Sequence, residues 1–286
     1  MKKSAFSLLE LSVSLVVVSL LMAMVLQGIK MVASSRLTTA RSLTSKSPVP
    51  NIPGLVAWYE TTSVDSLKAA EAVDGKRLGT WYDISPDSIP ARKNTLTRTA
   101  SSSAVVFESD GINNLPSVKF NGNSSGIGLA NFYQGSSSQN TVFYAIKPSL
   151  TSGIIVDSGP SANNVAAFGL DSSTQLHFNY GGPKNIPISP LTLLTNQDYL
   201  GATYYNGANS KAFINNATTM INGGVVFDPG PNSLQGIMIG SDRDNFYAFT
   251  GLISEIIVYN RPLQTQERKD VMGYLSKKYG IVVTGL

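Results

Sequence analysis

The sequence predicts a mainly β protein: a long N-terminal membrane-spanning α-helix, then a β-sandwich of jelly-roll type, then a short C-terminal helix. Three observations predict it. Phe6 to Ile29 is a run of 24 residues with a single charge; short apolar or alternating runs separated by turn residues fill the region after Gly54; and "LQTQERKDVMGYLSKKYG" near the end has helical periodicity.

Twenty-four helical residues rise about 36 Å, enough to cross a hydrocarbon core about 30 Å thick. A secretory signal has a shorter apolar region, although Val32-Ala33-Ser34 is a passable cleavage site. Glu10 is the odd residue in this run. An acid inside a membrane segment is costly and is functional by default, with a partner to be named. Beyond Ile29 no Pro or Gly intervenes before Ser47, and Met31, Val32, Leu37, Ala40 and Leu43 recur at three- to four-residue spacings, so the helix is expected to run on to residue 47. Pro48, Pro50 and Pro53 then stop it, leaving residues 48–53 as a stiff linker.

The stretch Lys2-Lys3-Ser4-Ala5 followed by Phe6-Ser7-Leu8-Leu9-Glu10 resembles the leader of type IV pilins and pseudopilins. That resemblance implies a leader of residues 1–5, cleavage by a prepilin peptidase between Ala5 and Phe6, methylation of the new amine, and Glu10 at the family's glutamate position. Phe6 and Glu10 are i and i+4 neighbours, so the carboxylate can pair with a terminal amine of its own or an adjacent subunit. Such pairing would set axial register in a helical bundle, because a slipped neighbour leaves the acid unpaired. The sequence has Ala5 where the family usually has glycine and Ser7 where threonine is common, and no proline interrupts residues 6–47.

Residues 54–286 read as one β domain. The runs "LVAWYE", "PSVKFNG", "TVFYAIK", "TQLHFNY", "KAFINN", "GIMIGS" and "LISEIIVYN" are the predicted strands, and Asn206-Gly207 and Asn215-Asn216 mark hairpin turns around "SKAFI". In the last segment Thr265 is the expected N-cap, Met272, Leu275 and Tyr279 form an apolar face toward the sandwich, and Gly280 is the stop. With "PGLVAWYE", "WYDIS", "NLPSVKFNG", "TVFYAIKP" and "GLISEIIVYNRPLQTQERKDVMGYLSKKYGI", the domain resembles the laminin-G-like, concanavalin A-like sandwiches of bacterial surface proteins. The resemblance implies carbohydrate, glycan or protein binding, sometimes with calcium at a rim; relatives of the same fold are glycosidases.

Composition excludes several chemistries. There is no cysteine and one histidine, His177, so disulfides, thiolate metal sites and any site needing two imidazoles are ruled out. The net charge of +4 comes from scattered Lys and Arg with no basic cluster, so no nucleic-acid partner is expected. The domain's glutamates, Glu60, Glu71, Glu108, Glu255 and Glu267, stand isolated in the sequence, with no alternating pair on one strand, so no catalysis is expected. His177 in "QLHFNY" reads as a strand residue. No cofactor is expected beyond Ca2+, for which Asp242, Asp244 and Asn245 in "GSDRDN" offer clustered oxygens; Asp157 and Asp171 are weaker candidates. Trp58 and Trp81 read as core, while Tyr180, Tyr204, Tyr205 and Tyr247 border loops and could serve a binding face.

The resulting expectation is a pilin-like or pseudopilin subunit, minor or at a tip, held in a bacterial inner membrane by one span and displaying a lectin-like domain outward. Its expected partners are the prepilin peptidase, other pilin or pseudopilin subunits, the membrane before assembly, and a glycan or surface-protein ligand. The alternatives are a membrane-anchored binding protein that never polymerises and an anchored glycan-active enzyme.

Overall fold

The computed structural model describes residues 7–86, 90–98, 105–122, 126–150, 152–159, 166–170, 175–180, 185–207, 209–215, 233–244 and 246–285. Helix α1 spans Leu8–Ser45. Its N-cap is Ser7, and Gly28 does not interrupt it. Within the apolar part, the Ser12, Ser14 and Ser19 hydroxyls donate to the carbonyls of Leu9, Glu10 and Leu15, each at 2.8 Å. These side chains therefore need no water, which suits an apolar surrounding. From Leu8 to Val32 the large apolar side chains of α1 are all exposed, whereas Ala40 and Thr44 are buried against the rest of the chain.

Fifteen strands follow among the described residues: β1 (Leu55–Glu60), β2 (Thr80–Trp81), β3 (Leu96–Arg98), β4 (Val105–Glu108), β5 (Ser117–Asn121), β6 (Ile127–Leu129), β7 (Asn140–Pro148), β8 (Gly153–Asp157), β9 (Ala166–Leu170), β10 (Gln175–Tyr180), β11 (Asn185–Thr192), β12 (Tyr199–Tyr205), β13 (Lys211–Ile214), β14 (Ile237–Ile239) and β15 (Thr250–Tyr259). They form two antiparallel sheets. One has the order β13-β12-β7-β15-β5-β4, with β1 also paired to β15; the other has the order β11-β10-β9-β8-β14-β6-β3-β2. Asn206-Gly207 does turn between β12 and β13, as expected from that dipeptide.

The two sheets pack face to face over Tyr59, Trp81, Phe120, Tyr144, Phe168 and Phe249. The first sheet is buried on its outer face as well. Trp58, Phe143, Ile257 and Tyr259 pack there against Val271, Met272, Leu275 and Tyr279 of helix α2 (Thr265–Tyr279). Burial on both faces explains why β7 and β15 read as nearly continuous apolar runs rather than clean alternations. Gly201 on β12 lies opposite Tyr144 on β7, where a Cβ would come within 2.1 Å of the ring, so only glycine fits.

Helix α2 begins one residue earlier than its sequence suggests. Gln264, not Thr265, is the N-cap, because Glu267 reaches back to the Gln264 N–H at 2.7 Å and so closes a capping box three residues on. Gly280 ends the helix with φ +62°, a left-handed conformation that favours glycine.

The segment between α1 and β1 is packed rather than free-standing. Val49, in a short 3-10 turn, is fully buried, and its carbonyl accepts a hydrogen bond from the Tyr259 hydroxyl at 3.0 Å. The prolines fix a bend, and the bend is seated on the sandwich.

Candidate functional site

Three places concentrate chemistry: the first turn of α1, the joint where α1 and α2 meet the sandwich, and the loop between β14 and β15.

At the first turn, the Glu10 carboxylate accepts the Ser7 N–H at 2.9 Å while the Ser7 hydroxyl accepts the Leu9 N–H at 3.2 Å. Ser7-Leu8-Leu9-Glu10 is thus a capping box, with the acid also facing the positive end of the helix dipole. The Ser-x-x-Glu spacing is the sequence signal for this capping box. Ala5 and Phe6, the residues of the expected cut, lie outside the described residues.

The joint is built on strand register. Glu60 ends β1 and is the cross-strand partner of Glu255 on β15, so two carboxylates that look isolated in sequence meet under α2. Lys278 of α2 places its Nζ 2.8 Å from an oxygen of each, and all three side chains are closed to solvent. Glu255 also accepts from Trp58 Nε1 at 2.7 Å, the Tyr274 hydroxyl at 2.8 Å and the Tyr279 hydroxyl at 3.0 Å. Glu60 accepts from the Thr62 N–H at 2.7 Å, the Thr62 hydroxyl at 2.6 Å and the Ser66 hydroxyl at 2.8 Å. Burial by itself would push the Glu60 carboxyl up, but the Lys278 ammonium and these hydroxyls outweigh it and hold the group at about 2. Burial would likewise depress Lys278, yet Glu255 and Glu60 raise it above the ordinary lysine value. Burial and the Glu255 charge push the Tyr274 and Tyr279 hydroxyls well up, so they remain donors.

This network also holds α1. Tyr274, bonded to Glu255, has its hydroxyl 3.2 Å from Thr44 Oγ1, and Arg41 Nε donates to the Thr62 carbonyl at 2.7 Å. One turn further toward the apolar segment, Arg36 donates to Asn114 Oδ1 at 2.6 Å. Beyond these contacts an open groove of about 1000 Å³ lies between α1 and the head, walled by residues from Gly28 to Arg41 on one side and from 61–72 and 107–116 on the other.

In the β14–β15 loop the expected calcium ligands are otherwise engaged. Asp242 Oδ1 accepts the Phe246 N–H at 2.6 Å, and Asp244 is an exposed partner of Arg243 at 3.8 Å. Arg243 also places its guanidinium 3.5 Å from the buried Asp157, so a side-chain cation occupies the space between these acids. Asn245 and Asp171 lie outside the described residues, and among those described no cluster of three acids or histidines could hold a metal. The same loop exposes Phe246 and Tyr247.

Trp58 and Trp81 are both buried, Trp58 under α2 rather than between the sheets. Tyr205 is buried and Tyr204 lies beneath the Arg268 guanidinium, which leaves Tyr247 as the exposed tyrosine of the four considered whose side chain is described. His177 is in β10, opposite Gly169.

An exposed helix, long and apolar enough to cross a membrane, and a jelly-roll sandwich together define the class of this protein: a β-sandwich preceded by a span-length helix. No protein-family model matches the sequence, and no curated protein matches it. Among solved structures, domain 4 of AbnA, a GH43 extracellular arabinanase from Geobacillus stearothermophilus in complex with arabinotriose, is similar: TM-score 0.50 and 20% identity, covering 76% of this chain and 97% of that one. Trypanosoma rangeli sialidase in complex with the inhibitor DANA is similar with TM-score 0.52 and 16% identity, covering 79% of this chain and 33% of that one. This chain thus spans nearly all of the arabinanase domain and a third of the sialidase. At such identities the likeness establishes the sandwich fold and nothing finer.

Proposed function

We propose that this chain is a type IV pilin-like or pseudopilin subunit, minor or at a tip, that presents a lectin-like sandwich for adhesion or ligand binding. The observation that carries the reading is the place of Glu10. It is the one acid in the first 59 residues, it lies in the first helical turn, and its carboxylate rests on the N–H of Ser7. Cleavage between Ala5 and Phe6 would free an amine one residue before that N–H, giving Glu10 a cation of its own or a neighbour's to bind. The exposed apolar side chains from Leu8 to Val32 require lipid first and other helices after assembly.

The division of labour follows from this arrangement. The helix inserts in the inner membrane and packs into a filament, and the head, fastened to it through Thr44, Arg41 and Arg36, is displayed outside. A head of this size favours a minor or tip position, because bulky heads crowd one another along a thin fibre. Prepilin peptidase and other pilin or pseudopilin subunits are the partners this reading requires, and no enzymatic step is assigned to the head. The arabinotriose bound by the arabinanase domain makes oligosaccharides the first ligand class to screen. Glu10→Ala tests the assembly role: it should leave membrane insertion intact and remove the protein from sheared filaments, whereas an unchanged amount in the sheared fraction contradicts the proposal.

A second reading has its own support. The capping box satisfies Glu10 within the chain, so the acid needs no neighbour, and a membrane-anchored carbohydrate- or protein-binding protein that never polymerises would keep it for helix initiation alone.

A further inference from the structure

We propose that the groove between α1 and the head is a headgroup site for an anionic phospholipid, with Arg36 at the phosphate and Arg41 farther along α1 from the apolar span. The inference rests on α1 being a membrane anchor. Between Glu10 and Lys30 the helix carries no charge, and the 20 residues that end at Lys30 rise about 30 Å, the thickness of the hydrocarbon core. The groove begins where that span ends, at Gly28 and Ile29, and it is walled by apolar residues such as Val32, Leu67 and Phe107. Arg36 sits six residues above Lys30, about 9 Å, and helical side chains lean toward the N-terminus, here toward the bilayer. Its guanidinium therefore reaches the phosphate level.

Charge selects the occupant. Arg36 and Arg41 each make one hydrogen bond to the head, to Asn114 and to the Thr62 carbonyl, and neither faces a carboxylate at ion-pair distance among the described residues. The acid that shares the groove, Asp110, is held by the Asn114 amide at 2.7 Å. An amphiphile with a negative head and apolar tails matches a cationic groove that opens onto an apolar helix. A second copy of α1 packed in parallel matches it less well, because its corresponding half brings Lys30, Arg36, Arg41 and Lys46 against the same guanidiniums.

The test uses the full chain in nanodiscs of mixed phosphatidylglycerol and phosphatidylcholine, with retained lipid counted by native mass spectrometry after release into detergent. Wild type should retain phosphatidylglycerol preferentially, and Arg36→Gln should reduce that preference about fivefold, the effect of one cation near an anionic headgroup, with insertion into the bilayer unchanged. A photoreactive side chain placed at Val64 should capture lipid. Equal retention of the two lipids by an inserted wild-type chain, an unchanged preference in Arg36→Gln, or capture of a second copy from Val64 overturns the site while leaving the anchor intact. A chain that does not enter the bilayer overturns both.

Discussion

Glu60 and Glu255 face each other across adjacent strands and share one ammonium, with Lys278 Nζ 2.8 Å from an oxygen of each. The two acids and one base are closed to solvent, so no substrate reaches them in this conformation. Their role is to join β1, β15 and α2 and, through Tyr274 and Thr44, the end of α1. A buried ion pair adds little net stability over an apolar replacement, but losing one member leaves uncompensated charge.

Lys278→Met should therefore cost about 3–5 kcal/mol at neutral pH. With the ammonium gone, one of the facing carboxyls is raised above its unfolded value, so stability returns as pH falls toward the ordinary carboxylate range. Chemical denaturation at pH 7 and pH 5 measures this, and Lys278→Met combined with Glu60→Gln and Glu255→Gln should recover much of the loss. A pH-independent loss in the single variant would contradict the ion triad.

The wild type should respond to acid in the opposite direction. Glu60 is held at about 2 instead of 4.5, a depressed value, so its contribution is present above the ordinary carboxylate range and is lost as pH falls from there through about 2. The loss is on the order of 3 kcal/mol. Thermal melts between pH 6 and pH 2 should show it, and Glu60→Gln should flatten the slope.

The β14–β15 loop should be indifferent to calcium. Asp242 is committed to the Phe246 N–H, and Arg243 stands between Asp157 and Asp244. Adding millimolar Ca2+ or a chelator should leave the melting temperature unchanged; a chelator-sensitive rise of several degrees would restore the calcium site expected from Asp242, Asp244 and Asn245.

The strands that carry the joint were legible in the sequence. "LVAWYE", "TVFYAIK" and "LISEIIVYN" became β1, β7 and β15 because apolar runs between turn signals have few other folds open to them. The triad was not legible, because only the register of β1 on β15 brings Glu60 to Glu255. One signal did point to it. Val271, Tyr274, Leu275 and Lys278 lie at i, i+3, i+4 and i+7, so a lysine occupies the buried stripe of α2 and needs a buried partner. Glu10 divides in the same way: its capping box is local and readable as Ser-x-x-Glu, whereas the pairing proposed for it would belong to an assembly that one chain does not contain.

The mass of the mature protein's N-terminus tests the central claim most directly. The pilin-like account predicts a chain that begins at Phe6, with or without a methyl group on its amine; a chain that begins at Met1 or at Ser35 contradicts it.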